Sequence, residues 1–78
     1  MTELERALVG IEDIAALAEI WWREQGRRGV RVSARTVRRW IRHHQDPLPA
    51  KRIDIGGPWT AVPSEVRAWL ARHLLSST

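Results

Sequence analysis

V-S-A-R-T-V-R-R-W-I-R-H-H, running from Val32 to His44, is the stretch on which the reading of this chain turns. At about 100° per residue, an α-helix begun at Ala34 gathers Val37, Trp40, Ile41 and His44 on one arc and Arg35, Arg38, Arg39 and Arg42 on another. One face is built to join a core and the other is a cationic rod. Ser33 stands just ahead, where its hydroxyl can accept a bond from a free first-turn N–H and cap the helix. The segment contains no acid. Surface helices ordinarily mix charge signs through i,i+4 pairs, so four guanidiniums without a partner in reach call for an external counter-charge, and phosphate is its leading source.

The charge of the whole chain is arranged around this stretch. The net charge is +4, but Arg23 to Arg52 holds ten Lys and Arg against two acids, Glu24 and Asp46. Residues 1–22 carry one Arg and five acids, and residues 53–78 are balanced. A basic region concentrated in one part of a small domain is the footprint of polyanion binding. The 78 residues make one domain, near the size at which a single core can still hold itself together, and five tryptophans enlarge that core. Without cysteine there is neither a disulfide framework nor a cysteine-containing zinc site. No segment reaches the roughly 20 apolar residues of a membrane helix, and no basic-then-apolar signal pattern opens the chain, so a cytoplasmic location is expected.

Upstream, residues 1–10 read as a frayed or extended lead-in: Thr2 with Glu5 resembles a capping box and Leu4 with Leu8 has helical spacing, but Gly10 breaks the pattern. Ile11, Ile14, Ala15, Ala18, Trp21 and Trp22 follow i, i+3, i+4, i+7 spacing and predict a helix over 11–25, with Glu12 and Asp13 suited to its first turn and Gly26 to its stop. Leu17, Ile20, Trp21 and Trp22 spread around its second half. Packing inside the domain is favoured for both tryptophans over a self-association surface made by Trp21 and Trp22. Arg27, Arg28, Gly29, Val30 and Arg31 form a basic connection, either a phosphate contact or a solvated turn.

Downstream, Pro47 and Pro49 bracket Leu48 and prevent further helix. Ala50 to Ile55 and Trp59 to Val62, separated by Gly56-Gly57-Pro58, predict a tight β-hairpin over 50–62. Its alternation directs Lys51, Ile53 and Ile55 to one side and Ala50, Arg52 and Asp54 to the other. No Gly-Lys-Ser/Thr or following helix makes the glycine pair a phosphate loop. Pro63, Ser64 and Glu65 open a last helix over 63–75, with Val66, Trp69, Leu70, His73 and Leu74 on one face and Ser76–Thr78 as a tail. The predicted fold is mainly α with a small hairpin, in the order helix (11–25), helix (34–44), hairpin (50–62), helix (63–75). That order is that of a winged helix-turn-helix, with Trp40, Trp59 and Trp69 as core pieces.

S-A-R-T-V-R-R-W-I-R (Ser33 to Arg42), P-L-P-A-K-R-I (Pro47 to Ile53), G-G-P-W (Gly56 to Trp59) and P-S-E-V-R-A-W-L (Pro63 to Leu70) together resemble the MerR-like winged helix of phage excisionases, the recombination directionality factors. The similarity spans roughly residues 10–72 and is most specific at T-V-R-R-W-I with the proline-rich run into the wing. Two features set this chain apart: Ile20 to Val30 lengthen the path from the first helix to Ser33, and Pro58 and Thr60 stand at the wing where many relatives carry basic residues. The resemblance implies that Arg35, Arg39 and Arg42 face base edges in the major groove. It places Ser33, Thr36, Arg38, Lys51 and Arg52 on phosphates. It further implies copies that bind adjacent sites on duplex DNA, associate cooperatively, bend the DNA and help a phage integrase excise a prophage from a bacterial chromosome.

Rival readings share parts of this pattern. A small phage transcription repressor and the DNA-recognition subunit of a packaging terminase use similar winged helices, and a protein-interaction module could offer its arginines to an acidic partner. Catalysis is not expected, because His43, His44 and His73 lack convergent partners, and no metal or other cofactor is called for.

Overall fold

The computed structural model describes residues 6–52 and 54–75. It is mainly helical, with three α-helices and a three-stranded antiparallel sheet. The elements run β1 (Leu8–Val9), α1 (Ile11–Glu24), α2 (Ala34–Ile41), β2 (Ala50–Arg52), β3 (Trp59–Ala61) and α3 (Pro63–Leu70), which passes into a π-helical turn over Ala71–Leu75. The proposed capping box of Thr2 and Glu5, together with Leu4, Ile53 and the tail Ser76–Thr78, lies outside the described residues.

The lead-in supplies the third strand. Leu8 pairs with Ala61 and Val9 with Thr60, so β3 lies between β1 and β2. Two residues are too short to show any period. The N–H of Gly10 donates to the Trp59 carbonyl at 2.6 Å, and Gly10 takes a φ of 92° as the strand turns into α1. Asp13 reaches back to accept from the Val9 N–H at 3.1 Å. At the other end of α1 the Arg27 N–H returns to the Trp22 carbonyl and the Gly26 N–H to that of Arg23, with Gly26 at φ 89°. Those two bonds satisfy carbonyls that a helix end leaves open and form a Schellman cap.

The core lies where α1, α2 and α3 meet above the sheet. Ile14 and Ala18 of α1, Val37 of α2, and Val66, Trp69 and Leu70 of α3 are buried, joined by Leu48 and Ala61. Trp21 is buried as well, at 4% exposure. Of the three tryptophans expected in the core, Trp69 is fully inside while Trp40 and Trp59 are half-buried against it. Trp40 packs on Trp69 with ring centroids 5.5 Å apart.

Two boundaries differ from those the pattern predicts. The helix α2 ends at Ile41 rather than at His44, with Arg42 as its C-cap. The Trp40 carbonyl accepts from both the His43 and Leu48 N–H groups. That double use of one acceptor folds the chain back so that Leu48 can be buried. His44, placed on the core arc by a longer helix, is exposed instead. The hairpin is also looser than a two-residue turn: its strands stop at Arg52 and start at Trp59, and a β-turn closed by Gly57 N–H to the Asp54 carbonyl lies between them. Only Gly56 of the glycine pair takes a positive φ, 84°. The alternation expected along β2 does not reach Asp54 and Ile55, which belong to that turn. Among the described residues, no helix is long and apolar enough to cross a membrane.

Candidate nucleic-acid interface

Ser33 fixes the start of α2. Its Oγ accepts from the Thr36 N–H at 3.2 Å and lies 3.1 Å from the Thr36 hydroxyl, so both hydroxyls serve the cap, even though Ser33 is exposed. The residue ahead of the cap is held just as firmly. Val32 buries its side chain and donates its N–H to Glu19 of α1 at 2.8 Å. With Val37 buried on one side, the 3.6-residue period leaves Arg35, Arg38, Arg39 and Arg42 on the other, and all four are exposed. Among the described residues, no ion pair or hydrogen bond engages any of these four guanidiniums.

The acids nearest in sequence are committed elsewhere. Glu24 pairs with Arg67 of α3. Asp46 takes Arg72 at 3.0 Å and His73 Nε2 at 2.6 Å. Its backbone carbonyl accepts from the indole N–H of Trp69 at 2.7 Å, which satisfies the one polar atom of that buried side chain. The hydrogen bond from His73 is the main influence that holds the Asp46 carboxyl below its ordinary value; desolvation opposes it, and the Arg72 guanidinium adds to the lowering. The Asp46 N–H donates to His43 Nδ1 at 3.2 Å and braces the turn after α2 from within, while Trp69 of α3 and Arg72 and His73 of the π-helical turn tie it to the C-terminal elements.

The arginine face is concave rather than rod-like. Arg35, Arg38, Arg39 and Arg42 line an open basin of about 740 Å³ together with His43, His44 and Gln45 of the turn that follows. Sequence periodicity missed those three because a helix continued to His44 would have spread them around its axis. The proline pair at Pro47 and Pro49 was the available signal that the chain turns there.

The hairpin adjoins the same surface. Lys51 and Arg52 are exposed on β2, and Arg52, in the last pair before the turn, lies opposite Trp59 with its guanidinium 4.5 Å from the ring centroid. A cleft of about 150 Å³ between α2 and the hairpin is lined by Arg38, Ile41, Arg42, Arg52 and Trp59. Thus α2 and Arg52 of the hairpin border one cationic cleft, whereas Lys51, the neighbouring strand position, lines a separate hollow with Pro47, Leu48 and Glu65. The tryptophans offered for self-association separate. Trp21 is part of the core, whereas Trp22 keeps a partly exposed ring at 4.9 Å from Trp21, with the Arg27 guanidinium 5.3 Å from its centroid. Burial of Trp21 removes it from any surface that a second copy could touch.

Compared with family models, with curated proteins and with solved structures, the chain matches none of them.

Proposed function

We propose that the chain is a winged helix-turn-helix domain that binds duplex DNA sequence-specifically, with α2 in the major groove and the β2–β3 hairpin as its wing. The observation that carries this reading is the set of four exposed guanidiniums on α2 with no carboxylate partner among the described residues, while Glu24 is paired with α3 and Asp46 with the π-helical turn that follows it. A duplex supplies the missing counter-charge as a regular array of phosphates, and releasing its counterions drives binding. An α-helix fits the major groove, and the planar fork of arginine matches the O6 and N7 acceptors of guanine. Arg35 and Arg39, one turn apart on the exposed face of α2, are the first candidates for base contact, with Arg42 beyond them. Ser33, Thr36, Arg38, Lys51 and Arg52 flank them and set orientation on the backbone.

The biological role follows the resemblance of Ser33–Arg42 and Pro47–Ile53 to phage excisionases. In that role the domain is an architectural factor: copies occupy neighbouring sites, bend the attachment-site DNA and cooperate with a phage integrase in prophage excision, without performing catalysis. The test is a nuclease footprint on DNA flanking the chain's own gene, run with a circular-permutation bending assay. Several directly repeated protected sites with bending are the expected result. A single palindrome near a promoter would mean a repressor, and binding indifferent to sequence would mean a basic interaction module.

A further inference from the structure

We infer that the cleft between the C-terminal end of α2 and the turn-side end of the β2–β3 ladder is a binding site for one tetrahedral phosphate, the chemistry shared by a DNA backbone phosphodiester and a free phosphate ion. The phosphodiester half of the inference rests on the DNA-binding reading above; the site itself rests on its own geometry.

The cleft's volume, about 150 Å³, is well below the roughly 300 Å³ at which pockets for whole small-molecule ligands begin. Three guanidiniums border it and no carboxylate does. Arg38 and Arg42 stand one turn apart on the side of α2 that faces the hairpin, and Arg52 approaches from β2. The Trp59 ring lies under the Arg52 guanidinium at 4.5 Å. A guanidinium held over an aromatic ring keeps N–H groups free to donate away from the ring, which is how arginine grips a phosphate. Among the described residues, none of the three guanidiniums makes a hydrogen bond or ion pair.

The cleft also divides the arginine face. Arg38 and Arg42 border both the cleft and the larger basin, whereas Arg35 and Arg39 border the basin alone. Arg42 therefore passes from the base-reading set to a backbone clamp with Arg38 and Arg52. A phosphate held there fixes how far α2 enters the groove and in which register, and leaves sequence discrimination to Arg35 and Arg39.

Inorganic phosphate, exchanged for chloride at constant ionic strength, provides the test on the full chain, read by the Trp59 indole N–H resonance. A saturable shift is expected, weakened about tenfold or more in Arg52→Ala by loss of a charge-assisted bond and unchanged in the control Arg23→Ala. A shift that never saturates, or that survives intact in Arg52→Ala, would overturn the site. On duplexes, Arg42→Ala should weaken a selected sequence and a random one by the same factor and reduce the salt slope by about one. A loss confined to one base position would return Arg42 to base reading and overturn the clamp. Saturable phosphate binding without duplex binding would keep the cleft as a free-phosphate site and remove the DNA reading. Sequence-specific duplex binding with no phosphate response would do the reverse.

Discussion

Arg39 and Lys51 carry the same charge in different settings, and their substitution separates two kinds of contact. Arg39 sits on the outward face of α2 inside the basin, and Lys51 is exposed on β2. Arg39→Ala should cost about 1 to 3 kcal/mol on a selected duplex and relax its base preference, whereas Lys51→Ala should weaken all sequences alike. Fluorescence anisotropy on selected and random duplexes measures both; equal losses on both duplexes for both variants would refute the division. The tryptophans make a second residue-level contrast. Trp69 is 1% exposed and its indole N–H is bonded to Asp46, so Trp69→Ala should cost about 3 to 5 kcal/mol and unfold a domain this small. Trp40 is half-buried beside it, and Trp40→Ala should fall below that range. Urea denaturation that ranked Trp40 above Trp69 would contradict the burial of these rings.

At the scale of elements, α2 depends on its ends more than on its length. Eight residues are too few to be helical alone, so the helix persists because Val37 is buried and both termini are tied down. Ser33→Ala removes the acceptor for the Thr36 N–H and should destabilise the domain by about 1 kcal/mol, with Ser33→Gly costing less. Thermal melts of the two variants check this, and the reverse order would show that the cap does not hold α2. The α1 cap is of another kind. Gly26 takes a φ of 89° with open space where a Cβ would lie, so Gly26→Ala pays only backbone strain, about 1 to 2 kcal/mol. Amphipathic periodicity made α1 and α3 readable nearly to their ends. It overran α2, because His44 completes the apolar arc on paper while the Trp40 carbonyl and Leu48 bring the chain round earlier.

At the scale of the molecule, one carboxylate joins the turn after α2 to the π-helical turn that follows α3. Asp46 meets Arg72 and His73 through its side chain and Trp69 and His43 through its backbone. Its carboxyl is held below the ordinary value by the His73 hydrogen bond first and by Arg72 next. A carboxyl depressed in the folded state binds fewer protons there than in the unfolded chain, so its stabilisation is present above the ordinary carboxylate value and is lost as pH falls through the folded one. Asp46→Asn should therefore be less stable than the parent at neutral pH, and the gap should close in acid. A gap that stayed constant down to strongly acid pH would mean that the charge of Asp46 does not hold the turn.

Residue order alone determined the cationic face of α2, the Ser33 and Gly26 caps, the helix faces carrying Val37, Val66 and Trp69, and the presence of a hairpin. These are local properties, set by spacing of 3.6 or 2 residues and by cap chemistry within one turn. Tertiary structure decided the rest: the pairing of Leu8–Val9 with β3, the early end of α2, the pairing of Glu24 with α3 and of Asp46 with the π-helical turn after it, and the meeting of Arg38, Arg42, Arg52 and Trp59 around one cleft. All but the end of α2 join residues far apart in the chain, and that end depends on the burial of Leu48 in the core. The physical reason is that a contact between distant segments depends on how whole elements pack, which no short window of sequence contains.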